Sequence, residues 1–353
     1  MPYTPHVIQK SKDIVGVAQA LVVKRLAAAQ VVTHIGFDQF KGKVDDTVTW
    51  RLPGRLPARD YPFRNDRSNP LVFDVYKEGK VNLTLSGNAY SAVALIDEQK
   101  EFDLNGDFSR LLLAQTDAVA TKLNSAARKA IVDAPYVVTI GNARGDIRGA
   151  LVEANRVLKR FGVPGDRRTL LVGTGWEAAI LLDKDLVLAQ NVGDATASSA
   201  LHDATIGRLL GWDVVVDEGL GEDDAYAFVK SGIALATAAP VVPQSVPFGA
   251  TVSAGGFALR WLQDYDTMYL TDRSVVNAWY GSAPVLDQIY PAEVAPGTPF
   301  DPDTLGRYFL RGVKLTLGGT SNYNITAGSD IEKETGIKKS QAWTPRVPVA
   351  TGP

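Results

Sequence analysis

The glycine-rich turn from Gly173 to Ala178 has the spacing of a ligand-binding motif. It reads Gly-Thr-Gly-Trp-Glu-Ala, follows a run of strand-forming residues and precedes a helical pattern, which is the context of a dinucleotide-binding turn. However, the indole of Trp176 would crowd a pyrophosphate, and no second strand of a β-α-β unit with its acidic residue follows. A tight strand-to-helix turn explains the glycines equally well, so a nucleotide-binding α/β enzyme stays an alternative rather than the main hypothesis.

Two acidic patterns have the residue types of a reactive or metal-binding site but lack the spacing. Asp103 and Asp107 belong to a segment that resembles the start of a calcium loop. In that register Phe108 stands where the loop requires glycine, and Ala114 stands where it requires glutamate. The contiguous carboxylates at 222–224 lie in a polar turn, where solvation is expected rather than acid–base tuning. We therefore expect a helix cap and a solvated turn.

The scarcity of sulfur and imidazole ligands restricts the chemistry further. The sequence has no cysteine and three histidines, His6, His34 and His202, which lie far apart along the chain. Thiolate nucleophiles, disulfides and zinc sites of the usual kind are thereby excluded. We expect no catalytic residue, no cofactor site and no metal site, and hence a protein that is not an enzyme.

Size and charge fit a globular protein with segregated surfaces. The 353 residues are 45% hydrophobic and 22% charged, with a net charge of −2, which allows one large or two ordinary domains with a substantial core. We find no signal-peptide pattern and no apolar run of the roughly 18 residues that a membrane span needs. Five arginines lie within 51–67, whereas 183–224 is strongly acidic, so different surfaces are expected to face different partners.

A long helix is predicted from Asp107 to Asp133, and the other elements are organised around it. The stretch contains no glycine or proline, Asp107 can cap its start, and Pro135 ends it. Apolar residues recur at three- and four-residue steps, which predicts one buried stripe. The residues that we assign to this structural spine are Phe108, Leu112, Val119 and Leu123.

The segment 44–103 is predicted to form an extended β-ribbon. Four prolines interrupt it between residues 53 and 70, and Val81, Leu83 and Leu85 then alternate with polar residues. A ribbon with one thinly covered apolar face is marginal by itself in water. We therefore expect another molecule to cover that face. A plain sheet edge within the same domain is the alternative.

The remaining segments alternate between helical and strand patterns. Residues 137–224 read as a compact α/β unit, and 225–239 is small and apolar and fits either a buried helix or a pair of strands. The segment 257–280 predicts long strands joined by a turn at 271–273. An amphipathic helix is predicted from Ser11 to Gln30, and 284–353 shows one clear strand and a polar tail.

This order of parts resembles the major capsid proteins of tailed bacteriophages, which have the HK97-like fold. The similarity rests on the order of the segments and on the character of Gly165–Asp185 and Leu209–Leu220, because that family has no diagnostic motif. The resemblance implies an α+β fold with an extended hairpin loop, a spine helix in a peripheral domain and an α/β axial domain. The implied segments are an N-terminal arm (1–43), extended loop (44–103), spine helix (104–136), axial domain (137–224), returning strands (225–283) and a C-terminal extension of unknown role (284–353).

The resemblance also implies a structural function. A member of this family self-assembles as hexamers and pentamers into an icosahedral shell around phage double-stranded DNA, is made in the cytoplasm of a host bacterium and ends in the virion. The expected partners are further copies of the chain, a scaffolding protein, a portal, decoration or minor capsid proteins, and packaged DNA in non-specific contact, with no membrane. No N-terminal scaffolding segment is evident, so we expect a separate scaffolding protein or processing before Met1. An encapsulin-like nanocompartment shell is the alternative of the same fold.

The extended loop supplies the residues expected to make inter-subunit contacts. They combine its basic side chains with its large apolar ones. These candidates are Trp50, Arg51, Arg55, Arg59, Arg64, Arg67, Phe73, Val81, Leu83 and Leu85.

Overall fold

The computed structural model describes most of the chain after residue 26. The described residues are 27–35, 47–54, 56–61, 63, 70–97, 108–142, 146–165, 167–183, 207–246, 248–254, 257–291, 294 and 299–345. The predicted N-terminal helix lies outside them except for its end, where Ala27–Gln30 is helical. Arg55, Arg64 and Arg67 also lie outside the described residues.

The described elements form an α+β protein with long strands and one long helix. The helices are α1 Ala27–Gln30, α2 Phe108–Val132, α3 Ile147–Arg160, α4 Thr174–Leu182 and α5 Asp330–Thr335. The strands of the first half are β1 Thr33–Ile35, β2 Thr47–Leu52, β3 Gly79–Thr84, β4 Gly87–Ile96, β5 Val138–Asn142 and β6 Arg168–Val172. Those of the second half are β7 Arg208–Leu209, β8 Trp212–Val216, β9 Asp224–Val229, β10 Ile233–Ala238, β11 Phe248–Ala254, β12 Phe257–Asp266, β13 Thr271–Pro284, β14 Asp287–Gln288, β15 Arg307–Tyr308, β16 Gly312–Leu317 and β17 Asn322–Tyr323.

The chain divides into two compact units, each assembled from segments distant in sequence. The first unit comprises Met1–Val48, Asn82–Ala130 and Ile233–Ala283. The second unit comprises Thr49–Val81, Ile131–Gly232 and Pro284–Pro353. The residues at 225–239, for which the sequence allowed a helix or two strands, form β9 and β10 on either side of a single 3₁₀ turn.

The first unit contains a mixed sheet in the order β1-β10-β13-β12-β11, with β4 also paired to β13. β12 and β13 form an antiparallel hairpin, and β4 runs antiparallel to β13 from Gly87 opposite Tyr280 to Ile96 opposite Thr271. The turn between β12 and β13 lies at 267–270, so the predicted turn at 271–273 is wrong. Residues 271–273 instead begin β13. The true turn was not predicted because it contains neither glycine nor proline.

The predicted long helix is present as α2, and its predicted apolar stripe is buried. At 1.5 Å per residue its 25 residues form a rod of about 37 Å. Leu112, Val119 and Leu123 are all buried, as expected for the spine. Phe108 begins the helix, but its side chain lies outside the described residues.

A buried polar contact connects α2 to the sheet of the first unit. The Gln115 side chain donates from Nε2 to the carbonyl of Ser274 at 2.9 Å and accepts from the Ser274 hydroxyl at 2.8 Å. The same hydroxyl accepts a hydrogen bond from the indole Nε1 of Trp261 at 3.0 Å, and Gln115 also donates to the carbonyl of Ser91 at 3.3 Å. All three polar side chains are buried, so the contact fixes one position of the helix along the strands.

The second unit contains a mixed sheet in the order β17-β5-β16-β9-β6-β8-β7. β16 lies between β5, to which it is parallel, and β9, to which it is antiparallel. The core of this unit includes α3, α4 and the fully buried indoles of Trp176 and Trp212. From the segment 284–353, β16 is an inner strand of this sheet.

Two buried charged groups complete the core of the second unit. Glu153 of α3 accepts a hydrogen bond from the Tyr323 hydroxyl at 2.6 Å and a bidentate pair of hydrogen bonds from Arg156. Arg168 is buried and donates to the amide oxygen of Asn155 at 2.7 Å and to the carbonyls of Val163 and Pro164. These carbonyls follow the end of α3, where the helix dipole favours a positive charge.

Replacing Gln115 by leucine is expected to destabilise the chain by about 2–3 kcal/mol. The substitution removes the acceptor of the buried Ser274 hydroxyl proton and the donor to the buried Ser274 carbonyl, and such buried groups are costly when unsatisfied. Urea unfolding followed by circular dichroism measures the change. Ser125→Leu, at an exposed position of the same helix, controls for the added leucine, and equal midpoints for the two variants would contradict the role of the contact.

The stability of the chain is expected to fall as pH rises above about 10. Burial, and then the hydrogen bond to Glu153, raise the pKa of Tyr323 well above its ordinary value of 10.0. Below that value both states keep the proton. Above it the unfolded state loses the proton while the folded state retains it, which costs about 1.4 kcal/mol per pH unit for one phenol. In urea titrations from pH 8 to 11, Tyr323→Phe should show a shallower decline than the parent, and an unchanged slope would contradict the assignment.

Candidate inter-subunit contact surface

The predicted ribbon exists, but its strands belong to different sheets. β2 and β3 form a two-stranded sheet, while the third strand-like run, β4, joins the sheet of the first unit through β13. The segment between β2 and β3 carries no regular strand in its described part. In its described residues, the part of this segment before β4 is therefore a two-stranded ribbon of β2 and β3.

Val81 and Leu83 do not lie on an exposed face of the ribbon, so we leave them out of the candidate contact surface. Leu83 is fully buried and Val81 is 6% exposed within the chain itself. Their alternation with exposed Lys80, Asn82 and Thr84 was read correctly as a one-sided strand. We expected another molecule to cover the apolar side of this strand, whereas this chain itself covers Val81 and Leu83.

The other predicted contact residues differ in how they are placed. Arg51 is exposed, whereas Trp50 and Leu85 are half-buried. Arg59 makes an ion pair with Asp74, and both side chains are largely covered. Arg59 is therefore held by its own chain rather than presented to a partner.

Large apolar side chains are exposed along the connection between β2 and β3. Phe63 is 91% exposed and Phe73 is 85% exposed, and neighbouring apolar side chains are also exposed. We call this set the loop surface: Leu56, Phe63, Leu71, Phe73, Val75 and Tyr76. Exposed apolar surface is typical of interaction sites in proteins, so we take the loop surface, with Phe73 as its predicted member, as the candidate contact surface.

Asp74 holds the loop surface in place from within the second unit. Its carboxylate pairs with Arg59 and accepts a hydrogen bond from the backbone N–H of Phe300 at 2.9 Å. Next to it, the N–H of Val75 donates to the carbonyl of Phe300 at 3.1 Å. Phe73 is therefore fixed at the backbone although its side chain projects into solvent.

Lys77 adds an exposed electrostatic contact beside this anchor. Its ammonium group contacts the carboxylates of Asp301, at 2.9 Å, and Asp303. The two hydrogen bonds, first that of Asp303, raise the pKa of Lys77 above its ordinary value. The pKa of Asp301 is lowered, first by the backbone N–H of Asp303 and then by Lys77. Asp74 and Lys77 therefore hold this segment through residues more than 200 positions away in the sequence. No local spacing could reveal such contacts.

A second exposed apolar group lies at the turn of the β12–β13 hairpin in the first unit. Met268, Tyr269 and Leu270 are consecutive and all largely exposed. Leu270 has a φ of 49°, a left-handed conformation that is uncommon for a bulky residue. The sequence pattern did not indicate this group, because the turn was predicted at 271–273 and these residues were expected to belong to the strand before it.

The glycine-rich turn is closed by the chain itself, which removes the nucleotide-binding alternative. The backbone N–H of Gly173 donates to the carbonyl of Asp224, and the Trp176 indole donates to the carbonyl of Asp223 at 2.9 Å. A Cβ at Gly175 would come within 2.7 Å of the Glu222 carbonyl oxygen. The glycines thus permit close approach of the acidic turn at 222–224, whose backbone lies where a side chain at either glycine would be.

Within the described ranges, no group of three histidine, aspartate or glutamate side chains is arranged to hold a metal ion. The helices of that part of the chain include none with the length and apolarity of a membrane span.

Comparison with known proteins gives matches at the level of structure. No protein-family model matches the chain, and no curated protein matches it significantly. The structure of Mycobacterium phage Che8 is 16% identical with a TM-score of 0.54, covering 89% of this chain and 94% of that one. The capsid of cyanophage P-SCSP1u is 12% identical with a TM-score of 0.55, covering 82% and 86%. The mature capsid of bacteriophage PhiM1 is 10% identical with a TM-score of 0.55, covering 90% of each chain.

These likenesses span nearly the whole chain at very low identity. They show that the chain has the fold of phage capsid subunits, so the α+β, HK97-like fold expected from the sequence is confirmed. At least four-fifths of the chain is covered in each case.

Leu83→Asp is expected to unfold the chain rather than impair assembly alone. A carboxylate at a fully buried position has no partner and costs roughly 4 kcal/mol or more. Asn82→Asp places the same group on the exposed side of β3 and should unfold at the midpoint of the parent. Thermal and urea denaturation of the isolated subunit compare the two, and a stable Leu83→Asp subunit would restore the contact role that burial excludes.

Proposed function

We propose that this chain is a major capsid protein of a tailed bacteriophage, which self-assembles into the icosahedral shell that encloses the phage DNA. The observation that carries the proposal is the likeness to two capsid structures and a phage structure over 82–90% of the chain, at TM-scores of 0.54–0.55. A likeness that spans both units supports a whole-protein role rather than a shared module. A structural role without catalysis agrees with the occupied glycine-rich turn.

The domain roles are part of the same proposal. We assign the N-terminal arm to 1–43, the extended loop to 44–103 and the spine helix to 104–136. The axial domain at 137–224 is extended by β9 and by β16, because these strands lie inside the same sheet as β6. The returning strands at 225–283 then belong mainly to the peripheral domain, with β12 and β13 beside the spine helix.

The exposed apolar side chains supply the assembly energy in this proposal. Burying apolar surface yields about 25 cal/mol per Å², so a side chain as exposed as Phe73 contributes substantially when a neighbour covers it. Aromatic residues are also enriched among the residues that dominate interface energies. Many such modest contacts on each subunit add up to a very stable closed array.

The partners belong to the proposal in the same way. Hexamers and pentamers of the chain would form the shell, with a scaffolding protein, a portal and decoration or minor capsid proteins as further components. Contact with packaged DNA would be non-specific, through exposed basic side chains such as Arg51. An encapsulin-like nanocompartment would share the fold, but the capsid structures that carry the comparison are from phages, so we favour the virion.

The assembly state of the purified chain tests the proposal. Expressed alone or with its scaffolding protein, it should sediment as large particles and show closed shells in negative-stain electron microscopy. A chain that stays monomeric at high concentration with scaffolding protein present would overturn the proposal. Shells isolated with a cargo enzyme in place of DNA would favour the nanocompartment instead.

Phe73→Asp is expected to leave the subunit folded and to block assembly. The side chain is 85% exposed in the subunit, so folding tolerates the charge, whereas burial of that charge at an interface costs several kcal/mol. Leu182→Asp is the matched control, because Leu182 is 80% exposed and lies outside the loop surface. Light scattering follows assembly and circular dichroism follows folding. Normal shells from Phe73→Asp would remove the loop surface from the interface.

A further inference from the structure

We propose that a cavity of the second unit binds a small amphipathic monocarboxylate. The cavity has a volume of about 510 Å³, within the range of roughly 300–1,000 Å³ typical of small-molecule sites. It is lined by residues at the ends of β2 and β3, by the end of α3 and by the β14–β15 pair. This site is separate from the loop surface and from the glycine-rich turn, and it does not depend on the proposed capsid function.

Apolar side chains form much of the cavity wall. Phe161 and Val163 follow the end of α3, and Leu286 and Ile289 flank β14, with Leu310 buried behind them. Such a lining favours an aliphatic or aromatic body over a fully polar ligand such as a sugar or a free phosphate.

One charged pair on the wall is already satisfied. Arg311 donates to both carboxylate oxygens of Asp287, at 2.6 and 2.7 Å, and its remaining Nη1 donates to the carbonyl of Ser231 at 3.0 Å. A bidentate pair of this kind is geometrically fixed. It provides a rigid polar section of the wall without an unbalanced charge.

Two further arginines leave an excess of positive charge. Arg160 and Arg307 line the cavity, and no ion pair joins either of them to a carboxylate within the described part of the chain. Arg307 makes one long hydrogen bond, at 3.4 Å, to the carbonyl of Lys80. Glu334 is the remaining carboxylate on the wall. The two arginines therefore give this part of the wall a positive charge that suits an anionic head group.

The geometry of guanidinium groups selects the head group further. A planar carboxylate can accept paired hydrogen bonds from an arginine fork, and the apolar wall can cover the attached chain. A monocarboxylate with an alkyl or aryl body of moderate length therefore satisfies both parts of the cavity, whereas an alcohol or an amine of the same length satisfies the apolar part alone.

Calorimetry with octanoate as the probe tests the site on the full-length, unassembled chain. Octanoate should bind with one site per chain and a Kd on the order of 0.1–1 mM, while octan-1-ol and octylammonium should bind at least about tenfold more weakly. Arg160→Gln and Arg307→Gln should each weaken octanoate binding about tenfold or more, as expected for loss of a hydrogen bond to a charged group. Lys159→Gln removes the same charge from the adjacent exposed residue, which does not line the cavity, and should bind octanoate like the parent.

Absence of binding heat for octanoate, or equal binding of octan-1-ol, would overturn the proposal. So would equal losses in Lys159→Gln and Arg160→Gln, because that result indicates a diffuse charge effect. Circular dichroism confirms that each variant is folded, and the same variants can be scored for shell formation. Failure of octanoate binding in a chain that forms normal shells would count against the cavity site alone.

Discussion

The contact between Gln115 and Ser274 is the constraint on which the first unit depends. The buried face of α2 becomes rich in alanine toward its C-terminal half, and small side chains by themselves allow a helix to slide along a sheet. Hydrogen bonds are directional where apolar contacts are not. Gln115 reaches β4 and β13 at once, and the indole of Trp261 brings β12 into the same network. A rod of about 37 Å thus keeps one register against three strands.

In the second unit, buried charged groups fix the arrangement of the elements in the same way. Glu153 and Arg168 are buried, and each is surrounded by partners that neutralise or satisfy it: Tyr323 and Arg156 for the carboxylate, and the amide and carbonyl groups near the end of α3 for the guanidinium. Removing one partner of such a group is more costly than the net contribution of the group itself. Both units therefore combine an apolar core with a small polar network that specifies one arrangement.

Local sequence patterns predicted a helix or strand well where the pattern has a single physical interpretation. The helix α2 was predicted within one residue at each end, because an uninterrupted stripe with Pro135 beyond it has a single interpretation. The turn at 267–270 was missed because it contains no glycine or proline, and its Leu270 adopts a positive φ that the residue type does not favour. The alternation at Val81 and Leu83 revealed a buried side but not the identity of its cover.

Contacts between distant segments were beyond the reach of sequence reasoning. Asp74 and Phe300 are 226 positions apart, and neither residue type predicts a contact with the other. The contact between Gln115 and Ser274 was likewise not predicted. Nothing in the sequence assigned Gln115 a role beyond its place in the helix. The exposed Phe73 was predicted as a contact residue on composition, and its assembly role remains a prediction.

The position of β16 has a consequence for biosynthesis. Residues 312–317 bridge β5 and β9, so a nascent chain still held by the ribosome before that point has its sheet in two pieces. Because chains emerge from the N-terminus first, the sheet of the second unit can close only after residue 317 has left the ribosome. Until then β5 and β9 have no shared neighbour, and their unpaired backbone edges are open to wrong pairing.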